Sequence, residues 1–368
     1  MILSNSIEKH FEELRAERME SMLKAALIGL GRMGRGHFNV YKQFEKDGVP
    51  VSLVAVCDID ESKFSSKQEA EFNLKDVASA PSELDYSPYR CYTDYKELLE
   101  KEDVDFVDIV VPTYLHYEVT IAALKSGKHV HCEKPMALNP EQCAEMIATA
   151  KEMNKTLMIG QVLHFWNAYE ILKKYTEEKI FGEAKFAFFY RGGVQDHIKN
   201  GSYKDWIRIR EQGGGGLFDQ HIHDTDMVRW LFGTPESVST TGLTIHPRSA
   251  YDIVSTNYFY PDHKVVNAND DADQKGTYGF RSGYKVHFEN GMLMYLNNKL
   301  TAFPHGAPEY EIELKPENPY YNEVKYFSEC VASGKPVIRC LPEEAMETVR
   351  ICLAEMKSAD LNGEKVAL

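Results

Sequence analysis

The sequence has no surplus of basic residues. Its 368 residues include 42 Lys and Arg against 56 Asp and Glu, which gives a formal net charge of −14. A general surface for nucleic acid or anionic lipid depends on clustered Lys and Arg that neutralise phosphates. We therefore expect no nucleic-acid partner, and the composition favours a small-molecule partner.

Long apolar runs and paired cysteine motifs are also missing. No apolar segment approaches the roughly 20 residues that span a bilayer, and residues 1–21 lack the basic-then-apolar order of a signal peptide. The seven cysteines are scattered and never form C-x-x-C, so neither a disulfide framework nor a thiolate zinc site is indicated. We expect a cytoplasmic protein without membrane association.

The length of the chain favours two domains. Residues 6–21 place apolar side chains at helical spacing, which predicts a helix in an N-terminal extension over residues 1–22. Over residues 23–155, strand-like apolar runs alternate with helix-like segments, which is the order of a doubly wound parallel sheet, the Rossmann fold. Within it, residues 73–90 lose periodicity and carry two prolines, which indicates a surface loop or short insertion.

Residues 156–368 have a different pattern. They are rich in strand-like runs such as AKFAFFY, YKVHFENGMLMYL and YEIEL, with the helix-like segment HDTDMVRWLFG among them. This pattern predicts a second, sheet-dominated α+β domain, so the fold class expected for the whole chain is α/β with an appended α+β domain.

A G-x-G-x-x-G motif follows the first strand-like run and opens a helix-like stretch. Gly29 permits the tight turn, Gly31 lets a pyrophosphate approach the backbone, and Gly34 lets helix and strand pack closely. The alternative is that these glycines serve only a turn. We predict that the motif binds a dinucleotide through Gly29, Leu30, Gly31, Arg32, Met33 and Gly34.

The second strand ends in Asp58. A dinucleotide fold places there the carboxylate that accepts hydrogen bonds from the adenosine ribose hydroxyls. A carboxylate at this place repels a 2′-phosphate, and no Arg follows Asp58 directly to pair with one. NAD is therefore the expected cofactor, and NADP is less favoured.

Two later strand-like runs end in VVPTYLHYE and HCEKPMAL. They deliver Pro112, Thr113, His116, Glu133 and Lys134 to one edge of the sheet, where open α/β sheets bind ligands. We predict cofactor contacts from all five residues. The Lys134 ammonium is suited to orient a substrate hydroxyl or to stabilise its oxygen, although a plain surface lysine is the alternative.

Together these segments resemble the glucose-fructose oxidoreductase, inositol dehydrogenase and rhizopine-catabolism (Gfo/Idh/MocA) family. The resemblance covers about residues 24–368 and is carried by GLGRMG, the strand that ends in Asp58, VPTYLHYE, the E-K-P of HCEKPMAL, GGGGLFDQHIHDTDMVRW and NPYYNEVKYFSECVASGKP. It implies a large, mostly antiparallel open sheet in the second domain. It also implies an NAD-dependent oxidoreductase acting on CH–OH groups of a sugar, cyclitol or related polyol.

In that family the E-K-P lysine works with an Asp and with a His four residues later, which implies catalytic roles for Lys134, Asp219 and His223. Helical spacing puts Asp219, His223 and Asp226 on one face, whereas His221 points elsewhere. We expect a carboxylate beside His223 to favour its imidazolium and to orient it as the acceptor of a hydroxyl proton.

The same segment allows other interpretations. The His and Asp residues from 219 to 226 are ordinary zinc ligands, but the dehydrogenase chemistry of the family needs no metal, and we predict none. Asp219 also suits a helix cap. Their positions on or beside strands of the second domain also suggest substrate contacts from His164, Arg191 and Trp206, with Tyr190 as a further pocket residue. The chain departs from the family pattern at His221, where Gly is usual, and at His164, where Arg often precedes Phe.

Two rival functions are also compatible with these residues. One is an NAD-dependent glycosidase whose cofactor is recycled, and the other is a non-catalytic NAD-binding regulator. Lys134, Asp219 and His223 argue against the regulator, because a sensor needs no proton-transfer groups. The resemblance also implies a homodimer or homotetramer that forms through the open face of the second sheet, so residues 156–368 are expected to bind substrate and to mediate oligomerisation.

Overall fold

A computed structural model of the protein describes residues 22–65, 84–193, 206–277 and 279–368. The predicted N-terminal helix and most of the predicted loop at 73–90 lie outside these residues. Within the described ranges, no helix is long and apolar enough to cross a bilayer.

The first sheet has six parallel strands in the order β3-β2-β1-β4-β5-β6. Its strands are β1 (Leu23–Ile28), β2 (Val51–Cys57), β3 (Arg90–Tyr92), β4 (Phe106–Ile109), β5 (His129–Glu133) and β6 (Leu157–Gly160). The helices between them are α1 (Arg32–Asp47), α2 (Ser62–Ser65), α3 (Tyr95–Lys101), α4 (Thr113–Lys125) and α5 (Pro140–Glu152). The strand order reverses between β1 and β4, so the predicted doubly wound sheet is confirmed.

Local sequence explains these elements. Strands β4 and β6 are buried along their whole length, as parallel strands are when helices cover both faces. Asp94 caps α3 by accepting from the backbone N–H of Lys96, and Asn139 caps α5 by accepting from that of Gln142. The apolar runs therefore mark β4 and β6, and the two caps mark where α3 and α5 begin.

The second sheet has nine strands in the order β14-β13-β12-β11-β7-β10-β9-β8-β15. They are β7 (Ala184–Gly192), β8 (Ser237–Leu243), β9 (Ile253–Phe259), β10 (Val265–Asp271), β11 (Arg281–Phe288), β12 (Gly291–Leu296), β13 (Lys299–Pro304), β14 (Tyr310–Ile312) and β15 (Val366–Ala367). Among these strands, only the pair β7 and β10 is parallel. The predicted α+β domain with a large, mostly antiparallel sheet is thus confirmed.

Helices cover one face of the second sheet. They are α6 (Asn167–Glu177), α7 (Ile222–Phe232) and α9 (Pro342–Asp360), together with a 3-10 turn (Val162–Phe165) and a π-helical turn (Leu217–His221). Helix α8 (Pro319–Ser333) instead packs on the 3-10 turn, on α1 and on β5. The core between sheet and helices contains Leu172, Met227, Val228, Ala268 and Ile351.

The last two helices also pack on the first sheet. Phe327 of α8 meets Phe106 of β4 edge to face, with ring centroids 5.3 Å apart. Val349 of α9 shares a core with Met146 of α5. After the second sheet, the chain therefore returns to the first sheet, where α8 and α9 complete its core.

Candidate functional site

The glycine turn separates into two structural glycines and one open position. Gly29 has φ of +104°, and a Cβ there would lie 2.4 Å from the carbonyl oxygen of Val110. A Cβ on Gly34 would lie 1.9 Å from the carbonyl oxygen of Gly29. A Cβ on Gly31, by contrast, would have no atom within 4 Å beyond its own chain neighbours. The turn thus leaves room at the N-terminus of α1, where the amide groups and helix dipole attract a pyrophosphate.

Asp58 lies at the end of β2 with its carboxylate turned toward this turn. It accepts from the backbone N–H of Leu30 at 2.8 Å and from that of Asp60 at 3.0 Å. Lys63 pairs with it at 2.7 Å. The sequence prediction considered only an Arg directly after Asp58 and missed Lys63, because one short helical turn brings the ammonium back across five positions.

Pro112 and Thr113 begin α4 at the carboxyl end of β4, on the same edge as the glycine turn. His116, one turn later, is buried, and its Nδ1 and Nε2 lie 2.7 Å and 2.9 Å from the carbonyl oxygens of Pro135 and Val111. Each ring nitrogen lies within hydrogen-bond distance of a backbone carbonyl, and because burial lowers the pKa of His116, its one N–H donates to one of the two. His116 thus packs against the backbone at the ends of two strands, and its contact with the cofactor stays a prediction.

Glu133 belongs to a buried network that the sequence analysis missed. Its Oε1 lies 3.1 Å from His37 Nε2, while its Oε2 accepts from the backbone N–H of Lys134. His37 Nδ1 lies 2.9 Å from Asp108, and Asp108 in turn lies 2.8 Å from His131 Nδ1. The carboxylate of Glu133 therefore faces inward and fixes the peptide that carries Lys134, rather than facing the open edge.

The charges in this network support one another. Burial alone would lower the pKa of His37, but Asp108 and Glu133 outweigh it and raise that pKa well above the usual range. Burial would raise the pKa of Asp108, yet His37 and His131 hold it below the usual range. The network therefore contains an imidazolium between two carboxylates.

Within the described ranges, His37, Asp108 and His131 are the set of side chains close enough to hold a metal ion. Their N···O distances of 2.8 and 2.9 Å are hydrogen-bond lengths. Ligand atoms around a tetrahedral zinc ion stand wider apart, at about 3.3 Å. The geometry therefore fits a hydrogen-bonded network.

Lys134 reaches across the cleft to Asp219. Its ammonium donates to the backbone carbonyl of Asp219 and lies 3.3 Å from the carboxylate, although 85 positions separate the two residues. The Lys134 side chain is 13% exposed and that of Asp219 is 34% exposed. This contact brings together two of the three residues that the resemblance implied.

His223 lies in the first turn of α7 and is neutral. Burial, and then the positive charges of Lys134 and Arg191, lower its pKa well below the usual range. No carboxylate of the described chain hydrogen-bonds to it, and its Nδ1 is buried without a partner. The predicted support of an imidazolium by an adjacent carboxylate is therefore wrong. A neutral imidazole is instead ready to accept a proton.

The predicted alignment of Asp226 with this site is also wrong. The turn over Leu217–His221 is π-helical, which changes the rotation per residue from that of an ideal α-helix. Asp226 points into the core, where it bonds His164 Nε2 at 2.7 Å. His164 is buried and stacks on Trp230 with centroids 4.1 Å apart, so its ring is held in the core by Asp226 and Trp230.

Of the other proposed substrate contacts, Arg191 is buried and forms a two-pronged pair with Asp224, at 3.2 and 3.1 Å. Trp206 is partly exposed and packs edge-on against Tyr114, with centroids 6.5 Å apart. Tyr190 accepts a hydrogen bond from Gln274. Arg191 is close enough to lower the pKa of His223, whereas Trp206 borders the cleft from the second domain.

The alternative metal cluster of residues 219 to 226 does not converge. His221 is fully buried, its Nε2 lies 3.2 Å from Thr256 Oγ1, and burial lowers its pKa to about 3. Asp224 is bound by Arg191, and Asp226 by His164. Each member thus faces a different partner.

Sequence models of known families match most of the chain. The NAD-binding Rossmann model of the Gfo/Idh/MocA oxidoreductases matches residues 23–161, and the C-terminal domain model of that family matches residues 147–312. The chain belongs to the Gfo/Idh/MocA family. It therefore carries an NAD-binding domain, and the open side of Gly31 with the carboxylate of Asp58 fits that cofactor.

Curated relatives give partial matches. The chain is 34% identical over 180 residues to the 2,7-anhydro-N-acetylneuraminate hydratase of Mediterraneibacter gnavus, covering 47% of each chain. It is 30% identical over 228 residues to the levoglucosan dehydrogenase of Pseudarthrobacter phenanthrenivorans, covering 61% of this chain and 55% of the relative. The chain thus spans about half the length of these relatives.

The architecture extends the likeness over nearly the whole chain. A solved structure of levoglucosan dehydrogenase in complex with NADH and levoglucosan superposes with a TM-score of 0.79 at 19% identity. The superposition covers 94% of this chain and 99% of that one. At this identity the likeness establishes the fold.

Proposed function

We propose that the protein is an NAD-dependent dehydrogenase that transfers a hydride between the nicotinamide and a hydroxyl carbon of a sugar, cyclitol or related polyol. The proposal allows either redox direction. The observation that carries it is the contact of Lys134 with Asp219 across the cleft, beside a neutral His223.

Each of these side chains has a role that its chemistry suits. Nε2 of His223 would accept the proton of the substrate hydroxyl, because Nδ1 is buried and only Nε2 remains to meet a ligand. The ammonium of Lys134 would stabilise the oxygen as negative charge develops on it. Asp219 would hold that ammonium in place. Bound NAD supplies the hydride acceptor.

We place NAD at the carboxyl ends of β1 and β4, the two strands between which the strand order reverses. Gly31 and the N-terminus of α1 would receive the pyrophosphate, and Asp58 the ribose hydroxyls. Leu30, Arg32 and Met33 complete the turn. Pro112 and Thr113 lie across from it at the start of α4, where they would border the nicotinamide half.

A second function is favoured by the hydratase among the relatives. A hydratase causes no net redox change, so a member of an NAD-binding family with such an activity must return its cofactor to the starting state. The glycosidase with a recycled cofactor belongs to the same class. Continuous accumulation of NADH would exclude it, whereas turnover without accumulation would favour it.

The test is a panel of sugars, cyclitols and polyols with NAD, read by NADH absorbance. His223→Ala should lower kcat by about 10² to 10⁴, which is typical for loss of a general base, and leave NAD affinity unchanged. Lys134→Met and Asp219→Asn should be comparably harmful, and the triple variant scarcely worse than the worst single one. Near-normal turnover of NAD-saturated His223→Ala would refute the assignment.

The division of labour between the domains follows from the same proposal. Residues 23–155 would bind NAD, and residues 156–368 would bind substrate and join subunits into a homodimer or homotetramer through the open face of the second sheet. Sedimentation equilibrium tests the oligomer. A monomer at micromolar concentration would contradict it.

A further inference from the structure

Asp270 is a buried acid whose carboxyl has no hydrogen-bond partner among the described residues. It lies near the end of β10, where Val266, Ala268 and Asp270 alternate onto the helix-covered face of the sheet, and only 2% of Asp270 is exposed. In the described part of the chain, neither of its carboxyl oxygens has a hydrogen-bond partner. Native proteins pair nearly all buried polar atoms, so a carboxyl without a partner in the described ranges is a group suited to bind a ligand.

The cation opposite Asp270 is already paired. Arg191 is the register partner of Asp270 on the parallel strand β7, but its guanidinium is directed to both oxygens of Asp224. Burial raises the pKa of Asp270 well above its usual range; Arg191 opposes this rise, and Asp224 and Asp219 add to it. The surroundings of Asp270 therefore favour the protonated form of its carboxyl more than water does.

Asp270 lies in the same region as the proposed catalytic residues. Strands β7 and β10 both pack against the π-helical turn Leu217–His221, which carries Asp219. The charge of Asp219 acts on the pKa of Asp270, and Arg191 acts on the pKa of both Asp270 and His223. The side chain of Asp219 is itself 34% exposed in the cleft. The turn that carries Asp219 therefore packs against the strand that carries Asp270.

We infer that Asp270 is a substrate-binding residue that exchanges hydrogen bonds with two neighbouring hydroxyl groups of a sugar or cyclitol held beside Asp219. The inference rests on the function proposed above. The two carboxyl oxygens lie side by side, at a spacing that suits the neighbouring hydroxyl groups of a vicinal diol. A substrate with a carboxylate or phosphate at this place is disfavoured, because its charge would face Asp219 and Asp224 while Arg191 is already engaged.

The experiment compares Asp270→Val and Asp270→Asn with the control Asp271→Asn. Val matches the shape of Asp without polar atoms, and Asn keeps a donor and an acceptor. Asp271 follows on the opposite face of β10, and its Oδ1 accepts from the backbone N–H of Asp273, a bond that an amide oxygen preserves. NAD-loaded proteins are titrated calorimetrically with cyclitols, sugars and their deoxy analogues, and melting temperatures are recorded.

We expect Asp270→Val to melt no lower than wild type and to bind NAD equally well, because it removes a buried unpaired acid. Its affinity for the best polyol should fall about 10- to 100-fold, as expected for two lost hydrogen bonds. Asp270→Asn should lose less, and Asp271→Asn should match wild type. A deoxy analogue that lacks a contacted hydroxyl should bind the wild-type protein more weakly than the full polyol does. Its affinity should fall little further in the Asp270→Val variant.

The outcomes separate this inference from the proposed function. Unchanged polyol affinity in Asp270→Val overturns the inference and leaves the dehydrogenase proposal intact. Polyol binding that depends on Asp270 without any NADH production supports the inference and refutes the dehydrogenase. If Asp270→Val lowers the melting temperature, NAD binding and polyol binding together, Asp270 has a structural role and the inference is overturned. The inference is also overturned if the wild-type protein binds no sugar or polyol.

Discussion

Replacing Gly31 with alanine should separate cofactor binding from folding. Gly31 has φ of −68° and ψ of −165°, an extended conformation that alanine adopts, and a Cβ there meets no atom within 4 Å. Replacing glycine with alanine, at a position whose backbone conformation alanine can adopt, stabilises a protein by about 0.4–1 kcal/mol. The gain arises because the unfolded chain loses conformational freedom. The Gly31→Ala protein without cofactor should therefore melt at or slightly above the wild-type temperature.

The same methyl group should weaken NAD binding. It would stand in the open space in which we place the pyrophosphate, and forcing an extra methyl into a packed contact costs about 1–3 kcal/mol. That cost corresponds to an increase of about 5- to 150-fold in the Kd for NAD. Calorimetric titration with NAD, alongside thermal melting of the unliganded protein, measures both effects on one sample.

Gly29→Ala is the matched control. The same change at Gly29 forces a residue with a side chain into φ of +104° and places its Cβ 2.4 Å from the Val110 carbonyl oxygen. This variant should lose stability before any ligand is added. An unchanged Kd for NAD in Gly31→Ala, with the fold intact, would show that the pyrophosphate does not lie at Gly31 and would refute the reasoning.

Three further predictions follow from the charges. The kcat of the oxidation should persist as the pH falls through 6.5, because the folded pKa of His223 is lowered below this usual value and the imidazole stays a proton acceptor; a loss of kcat centred at or above pH 6.5 would contradict this. Wild type should bind NAD more tightly than NADP, and Asp58→Ser should reduce this difference in affinity, because Lys63 would lose its carboxylate partner and could pair with the 2′-phosphate. Calorimetric titration with both cofactors measures the two affinities, and equal wild-type affinities would disprove the prediction. Asp224→Asn should lower the free energy of unfolding by about 3–5 kcal/mol, because it leaves the buried charge of Arg191 unpaired. Urea unfolding measures this loss. A loss below about 1 kcal/mol, the value typical of exposed ion pairs, would contradict the prediction.

The nucleotide half of the site could be predicted from the sequence because its determinants are local. Gly29, Gly31 and Gly34 occur within six positions of one turn, and Asp58 is fixed by the end of one strand. Strand and helix periodicity likewise predicted both sheets. The contact of Lys134 with Asp219 spans 85 positions, and only the family resemblance pointed to it.

Other parts of the site depend on facts that no local pattern contains. Asp226 was expected on the face of Asp219 because an α-helical rotation was assumed, whereas a π-helical turn precedes α7 and His164 holds the Asp226 carboxylate in the core. Asp108 interrupts the apolar run VDFVDIVV, and that charge within a buried strand was a signal for the network with His37. Asp270 gave no such signal, because a lone Asp in an alternating strand does not reveal which face it occupies.

The return of α8 and α9 to the first sheet bears on how this protein could be recombined with others. A crossover at residue 155 would transfer Phe327 and Val349 with the second domain, although they complete cores around Phe106 and Met146 of the first. A chimera made there must therefore match a donor's helices to a recipient's sheet. An insert that ends before Pro319 would leave α8 with the recipient's first sheet, but the recipient's α9 and β15 would then have to pack on and pair with the donor's second sheet, because Ile351 lies in its core and β15 pairs with β8.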